Sequence, residues 1–180
     1  LPPVHSINYK KALRWVAAAI FLMTVGLGLF KYFQPGEPFI ETHYAEIKKE
    51  SLPDGSMVTL NANSKVTYGK SWKAESDREV WVNGEAFFEV KKTALKSKFI
   101  VHTGYFDIIV TGTEFNVVSR NAKTNVLLKE GSVIVRTPNG TETRMTPGDF
   151  IEFTNDQLQP KAAKDIQVLA WKDRKFIFEK

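Results

Sequence analysis

Glu85 and Glu89 stand four residues apart in a segment whose apolar residues alternate, so a β-strand would carry both carboxylates on one face. Carboxyl groups about 5–9 Å apart can cleave a glycosidic bond, but four strand residues span about 13 Å. A solvated face explains the pair better. Asp54 and Ser56 flank Gly55 in Leu52-Pro53-Asp54-Gly55-Ser56. An activated serine needs a base and an oxyanion pocket, and the neighbouring residues offer neither. Proline setting φ, aspartate capping and glycine in the strained position read as a turn. His5, His43 and His102 have no partner at i+2 or i+4, so no metal cluster is signalled, and His102 reads as a strand-rim residue. Cysteine is absent, which excludes disulfides, zinc–thiolate sites and thiol nucleophiles. Asn139-Gly140-Thr141 fits a glycosylation acceptor, but an Asn-Gly turn explains it without glycan. No glycine-rich phosphate loop is present. The chain reads as a binding or signalling protein, with no enzyme activity, cofactor or metal expected.

What positions these residues begins at a membrane. Residues 15–30, WVAAAIFLMTVGLGLF, hold no charge, and Lys10, Lys11 and Arg14 precede them. Sixteen helical residues rise about 24 Å, and Leu13, Tyr32 and Phe33 extend the apolar surface toward the roughly 30 Å of a hydrocarbon core. Arg14 and Lys31 can snorkel to the interfaces, and Trp15 and Phe30 mark the ends of the uncharged run. A cleaved signal peptide shares this layout but needs a small-residue cleavage site, whereas Lys31-Tyr32-Phe33-Gln34-Pro35 follows. A core helix apolar all round is more than a small domain can cover. Basic residues favour the cytoplasmic flank, which predicts an inner-membrane protein with a cytoplasmic N-terminus and a periplasmic C-terminal domain.

The charge distribution agrees with this topology. Lys10, Lys11, Arg14 and Lys31 are four of the 25 basic residues, and all 20 acidic residues follow residue 36, leaving 21 basic against 20 acidic beyond the span. That near-neutral part has no basic stripe to track phosphates, so nucleic acid is not expected as a partner.

Beyond the span the period changes to two. Residues 80–82, 99–102, 106–110, 115–117, 126–128, 133–135 and 151–153 are rich in β-branched and aromatic residues, with turn residues between them. Asn83-Gly84 and Asn139-Gly140 read as hairpin turns. About ten short strands predict an all-β domain, sandwich or solenoid-like, behind a single transmembrane helix. Trp81, Phe88, Phe106, Phe115 and Phe150 are the large candidates to fill its interior.

Five segments in series carry a resemblance. LPDGSMVTLNANSKVTY (52–68), REVWVNGEAFFEV (78–90), FIVHTGYFDIIVTGTEFNVVS (99–119), VLLKEGSVIV (126–135) and MTPGDFIEF (145–153) resemble the blocks of the FecR family, over roughly residues 50–155. Family-motif positions here are Asp54, Gly55, Gly84, Glu85, Phe88, Gly112, Phe115, Gly131, Pro147 and Gly148, read as architectural. The resemblance implies a transmembrane anti-sigma factor or sigma-factor regulator. Its cytoplasmic segment would hold an extracytoplasmic-function sigma factor, and its periplasmic part would sense the signalling domain of a TonB-dependent outer-membrane transporter.

The expected organisation is a juxtamembrane remnant at 1–11, the span at 12–33, a linker at 34–50, the β domain at 51–160 and the start of a second subdomain at 161–180. About eleven residues before the span are too few for a sigma-binding domain, and LAWKDRKFIFEK (169–180) resembles only the beginning of the family's second periplasmic part. The chain is therefore expected to be a piece of a longer protein. Trp171, Phe176 and Phe178 are the candidate partner-facing residues. A rival reading is a single-span envelope lipid carrier, whose β groove would need an open apolar interior.

Overall fold

The computed structural model describes residues 9–33, 36–70, 72–73, 75–120, 123–154, 157–162, 169 and 171–172. It divides into two units, Leu1–Gly36 and Glu37–Lys180, each considered by itself.

In the first unit α1 (Tyr9–Tyr32) is one unbroken helix of 24 residues, about 36 Å long. Its stretch Leu13–Phe30 is long and apolar enough to cross a membrane, and none of it is buried. Trp15 is 71% exposed and Phe30 66%. An α-helix satisfies its own backbone donors and acceptors, which is what a lipid surround requires of it. The Phe33 amide still bonds to the Leu29 carbonyl at 2.9 Å, and Pro35-Gly36 follows the last turn.

The second unit is built from thirteen strands: β1 (Phe39–Thr42), β2 (Lys48–Ser51), β3 (Met57–Leu60), β4 (Ser64–Tyr68), β5 (Arg78–Glu89), β6 (Phe99–His102), β7 (Asp107–Val110), β8 (Glu114–Arg120), β9 (Lys123–Glu130), β10 (Val133–Arg136), β11 (Glu142–Met145), β12 (Asp149–Thr154) and β13 (Gln157–Ala162). They join into one curled sheet with β5 at its centre. The first half of β5 pairs with β4 and β6, and β7, β10 and β11 continue on that side, with β1 on β4. The second half pairs with β3 and β8, followed by β9, β12 and β13, with β2 on β3. Among the described residues only β5 and β6 run parallel; every other pairing is antiparallel. A stacked parallel solenoid is therefore not the arrangement.

The two halves, called sheet A and sheet B below, face each other across a single core. Val80, Val82, Ala86 and Phe88 of β5 point into it, together with Phe99, Val101, Phe106, Ile108, Phe115, Val117, Val126, Leu128 and Ile151. Phe88 stacks on Phe115 at 5.3 Å and meets Phe99 edge-on at 5.8 Å. Each such ring contributes about 1.5–3 kcal/mol by burial, so these rings dominate the cohesion of the core.

Four expectations change. Gly84 is not a hairpin turn: it lies inside β5, at φ +110, where the strand passes from sheet A to sheet B. A Cβ there would come within 2.4 Å of the Ser64 hydroxyl, which itself accepts the Glu85 amide at 2.9 Å. Glycine is needed for both the conformation and the approach. Gly140, by contrast, does turn the chain between β10 and β11. Residues 34–50 are not a plain linker, because β1 and most of β2 lie within them; β1 has only four residues and β2 is polar throughout, so neither shows a clear strand period. Trp81 and Phe150 do not fill the interior. They sit one residue out of phase with Val80 and Ile151 and so point outward, because side chains alternate along a strand.

Candidate interaction surface

Asp54 does cap its turn, and it does more. Its carboxylate accepts the Ser56 amide at 2.8 Å and the Ser56 hydroxyl at 2.6 Å, and it pairs with Arg78 Nη1 at 2.5 Å. Arg78 is only 2% exposed, and it also donates to the carbonyls of Lys91 (3.1 Å) and Ser97 (2.8 Å). Ser56 is fully buried and its Oγ accepts the Lys91 amide at 3.0 Å. The Asp–Ser pair is thus spent on joining three loops to the start of β5. Sequence reasoning missed Arg78; the available signal was a cation in phase with the inward Val80 and Val82.

Next to this anchor lies a cleft of about 570 Å³, lined by Gly55, Gly112 and Gly131, by Lys49, Lys91 and Lys92, and by Glu89, Glu114 and Glu130. Gly131, at φ +94, has no room for a side chain, since a Cβ would meet the Gly112 carbonyl at 2.9 Å. Pro147 and Gly148 form the turn before β12, where Gly148 donates to the Leu128 carbonyl at 2.9 Å. Asp149 then accepts the Thr146 amide at 2.7 Å, and that bond holds its carboxyl below the ordinary range.

The two carboxylates singled out by spacing share the outer face of β5 but have different partners. Glu85 accepts from Asn61 Nδ2 at 2.8 Å and from Asn116 Nδ2 at 3.0 Å. Glu89 meets Lys49 at 2.8 Å and Lys172 at 3.6 Å. The Lys49 hydrogen bond pulls the Glu89 carboxyl below its ordinary value; partial burial opposes this, and the Lys172 charge adds to it. Among the described residues no group of three or more His, Asp or Glu side chains is placed to hold a metal.

On the outside of sheet B, register aligns Lys49, Thr59, Phe87, Asn116, Leu127 and Phe150 across successive strands. Phe87 is 0% exposed although it faces away from the core. The Lys172 ammonium lies 3.7 Å from its ring centroid, and Lys129, bridged to Glu114 at 2.8 Å, lies 5.8 Å away. Trp171, next to Lys172, is half-buried, with its indole N–H buried and unpartnered. Phe176 and Phe178 lie outside the described residues.

On the outside of sheet A the corresponding row is Phe39, Thr67, Trp81, His102, Asp107 and Arg136. Trp81 is 39% exposed and stacks on His102 at 5.0 Å, while His102 Nδ1 is 2.8 Å from Asp107. His102 is therefore an outer-face residue in a local network.

The family model of the FecR protein matches residues 39–134, more than half of the chain and starting at β1. The chain belongs to the FecR family. Two crystal structures of a "putative anti-sigma factor" from Parabacteroides distasonis ATCC 8503, at 2.50 and 1.65 Å resolution, are similar to this FecR chain, at 32% identity and TM-scores of 0.68 and 0.69. Each match covers 75% of this chain and 64% of that one, so the chain spans less than two thirds of the length of these structures. No curated protein matches significantly. The family match places Asp54, Gly55, Gly84, Glu85, Phe88, Gly112, Phe115 and Gly131 inside the FecR domain, and Pro147 and Gly148 beyond the matched residues.

Proposed function

We propose that this protein is a single-pass membrane signalling protein, an anti-sigma factor or sigma-factor regulator that works by contact. In this reading the N-terminus is cytoplasmic and acts on an extracytoplasmic-function sigma factor. The FecR domain is periplasmic and receives the signalling domain of a TonB-dependent outer-membrane transporter. The observation that carries the proposal is the pairing of a fully exposed apolar α1 with a FecR-family domain similar to an anti-sigma factor. Lys10, Lys11 and Arg14 before the span, against Lys31 alone after it, support the orientation.

Physically, a relay of this kind needs two states of the exported domain and a partner that binds them unequally. The rival lipid carrier needs a hollow interior, and Phe88, Phe99 and Phe115, all fully buried, occupy the middle of this one. The test is purification of the tagged full-length gene product from native membranes, with mass spectrometry of what accompanies it. A sigma factor together with a TonB-dependent transporter is the expected outcome. Lipid-export components and bound lipid, without either, would overturn the reading.

A further inference from the structure

Phe87 presents a contradiction that its own strand cannot resolve. It points out of the sandwich, yet no part of its surface reaches solvent. Thr59, directly opposite it on β3, is 5% exposed, and Asn116, opposite on β8, is fully buried. An outer sheet face is expected to be wet unless something lies on it. Lys172 lies closest over it, its ammonium 3.7 Å from the Phe87 ring centroid and 3.6 Å from Glu89 Oε1, with Lys129 farther off at 5.8 Å. The Lys172 amide closes a turn onto the Leu169 carbonyl at 3.1 Å, and the neighbouring Trp171 is half-buried.

We infer that the outer face of sheet B is a docking surface and that the turn residues Trp171 and Lys172 of the same chain act on it as a releasable latch. The contacts that seat the segment are individually weak: a cation over a ring, and an ion pair with partly exposed partners. The seat is also imperfectly satisfied. Thr59 Oγ1, Asn116 Oδ1 and the Trp171 indole N–H are all buried without a hydrogen-bond partner. Each unpaired group opposes closure, because opening returns it to water. Weak attachment over an incompletely paired surface is what distinguishes a latch from a core element. The closed segment also sets Lys172 on Glu89 in the cleft wall, so release would free both the Phe87 face and one side of the cleft. This inference is independent of which partner the whole protein signals to.

The chain has no cysteine, so a single introduced thiol reports without background. Thr59→Cys puts the probe beneath the latch and loses no hydrogen bond, since Thr59 Oγ1 has none. In the full chain in detergent, maleimide labelling of T59C is expected to be slow. It should accelerate about tenfold when K172E or W171A is added, and stay slow with K172R, which keeps the charge and the stacking. Val117→Cys, buried in the interior, should remain slow in every background. Acceleration by either latch variant with V117C unchanged supports the latch. Labelling unchanged by both variants overturns it, and so does parallel acceleration of V117C, which would mean general unfolding.

Discussion

Trp81 and Phe87 lie six residues apart on one strand and project to the same outer side, yet one is 39% exposed and the other 0%. Both are large aromatics on the central strand of the sheet, so neither residue type nor strand accounts for the difference. Gly84, between them, is where β5 crosses from sheet A to sheet B. Beyond that point the Lys172 ammonium lies over the Phe87 ring; before it, Trp81 is stacked on His102. Burial on an outer face is thus set by what the rest of the chain lays over it. The outer face is open to solvent at Trp81 and covered at Phe87.

The most damaging change removes what holds β5 in place for both faces. Arg78→Ala leaves the buried Asp54 carboxylate without its cation and frees two loop carbonyls, at an expected cost of about 3–5 kcal/mol. Chemical denaturation of the full chain in micelles measures it; a loss below about 1 kcal/mol would show that the anchor is dispensable.

The comparison itself is sharpened by truncating each aromatic in turn. Phe87→Ala should cost about 3 kcal/mol, as for a buried ring, and Trp81→Ala about 1 kcal/mol or less, for a partly exposed stack. Equal losses in the same denaturation assay would break the distinction between the faces.

How much of this was legible in the sequence depended on the range of the interaction. The span, the β period and the inward phase of Val80, Val82 and Phe88 follow from neighbours two to four residues apart. Trp81 and Phe150 were misplaced because size was allowed to outweigh phase; the alternation already put them outside. The Asp54–Arg78 pair joins positions 24 residues apart through the fold; the phase of Arg78 with Val80 and Val82 marks it as inward, but nothing local names Asp54 as its partner. β1 is too short to show a period, and β2 is polar at every position. Trp171 was recognisable as an aromatic of interest, but the Lys172 ammonium over Phe87 joins positions 85 residues apart and nothing local to either announces it.

The smallest expected effect is one of pH. Glu89 has a folded-state pKa below its ordinary 4.5, so the unfolded chain binds the proton more readily there. Its contribution to stability is present above that value and fades as pH falls through the lowered pKa. The difference in thermal midpoint between the native chain and E89Q should therefore be measurable at neutral pH and close on acidification below 4.5. A difference independent of pH would mean that the Lys49 and Lys172 charges do not act on Glu89.

The most direct test of the account compares the two faces at matched positions. Thr67 stands opposite Trp81 as Thr59 stands opposite Phe87. With one cysteine at a time in the full chain, T67C should react with maleimide at the rate of an accessible thiol and T59C at least about tenfold more slowly, the factor expected of a weakly held cover. Equal rates at the two positions would contradict the account, because the sheet B face would then be as open as that of sheet A.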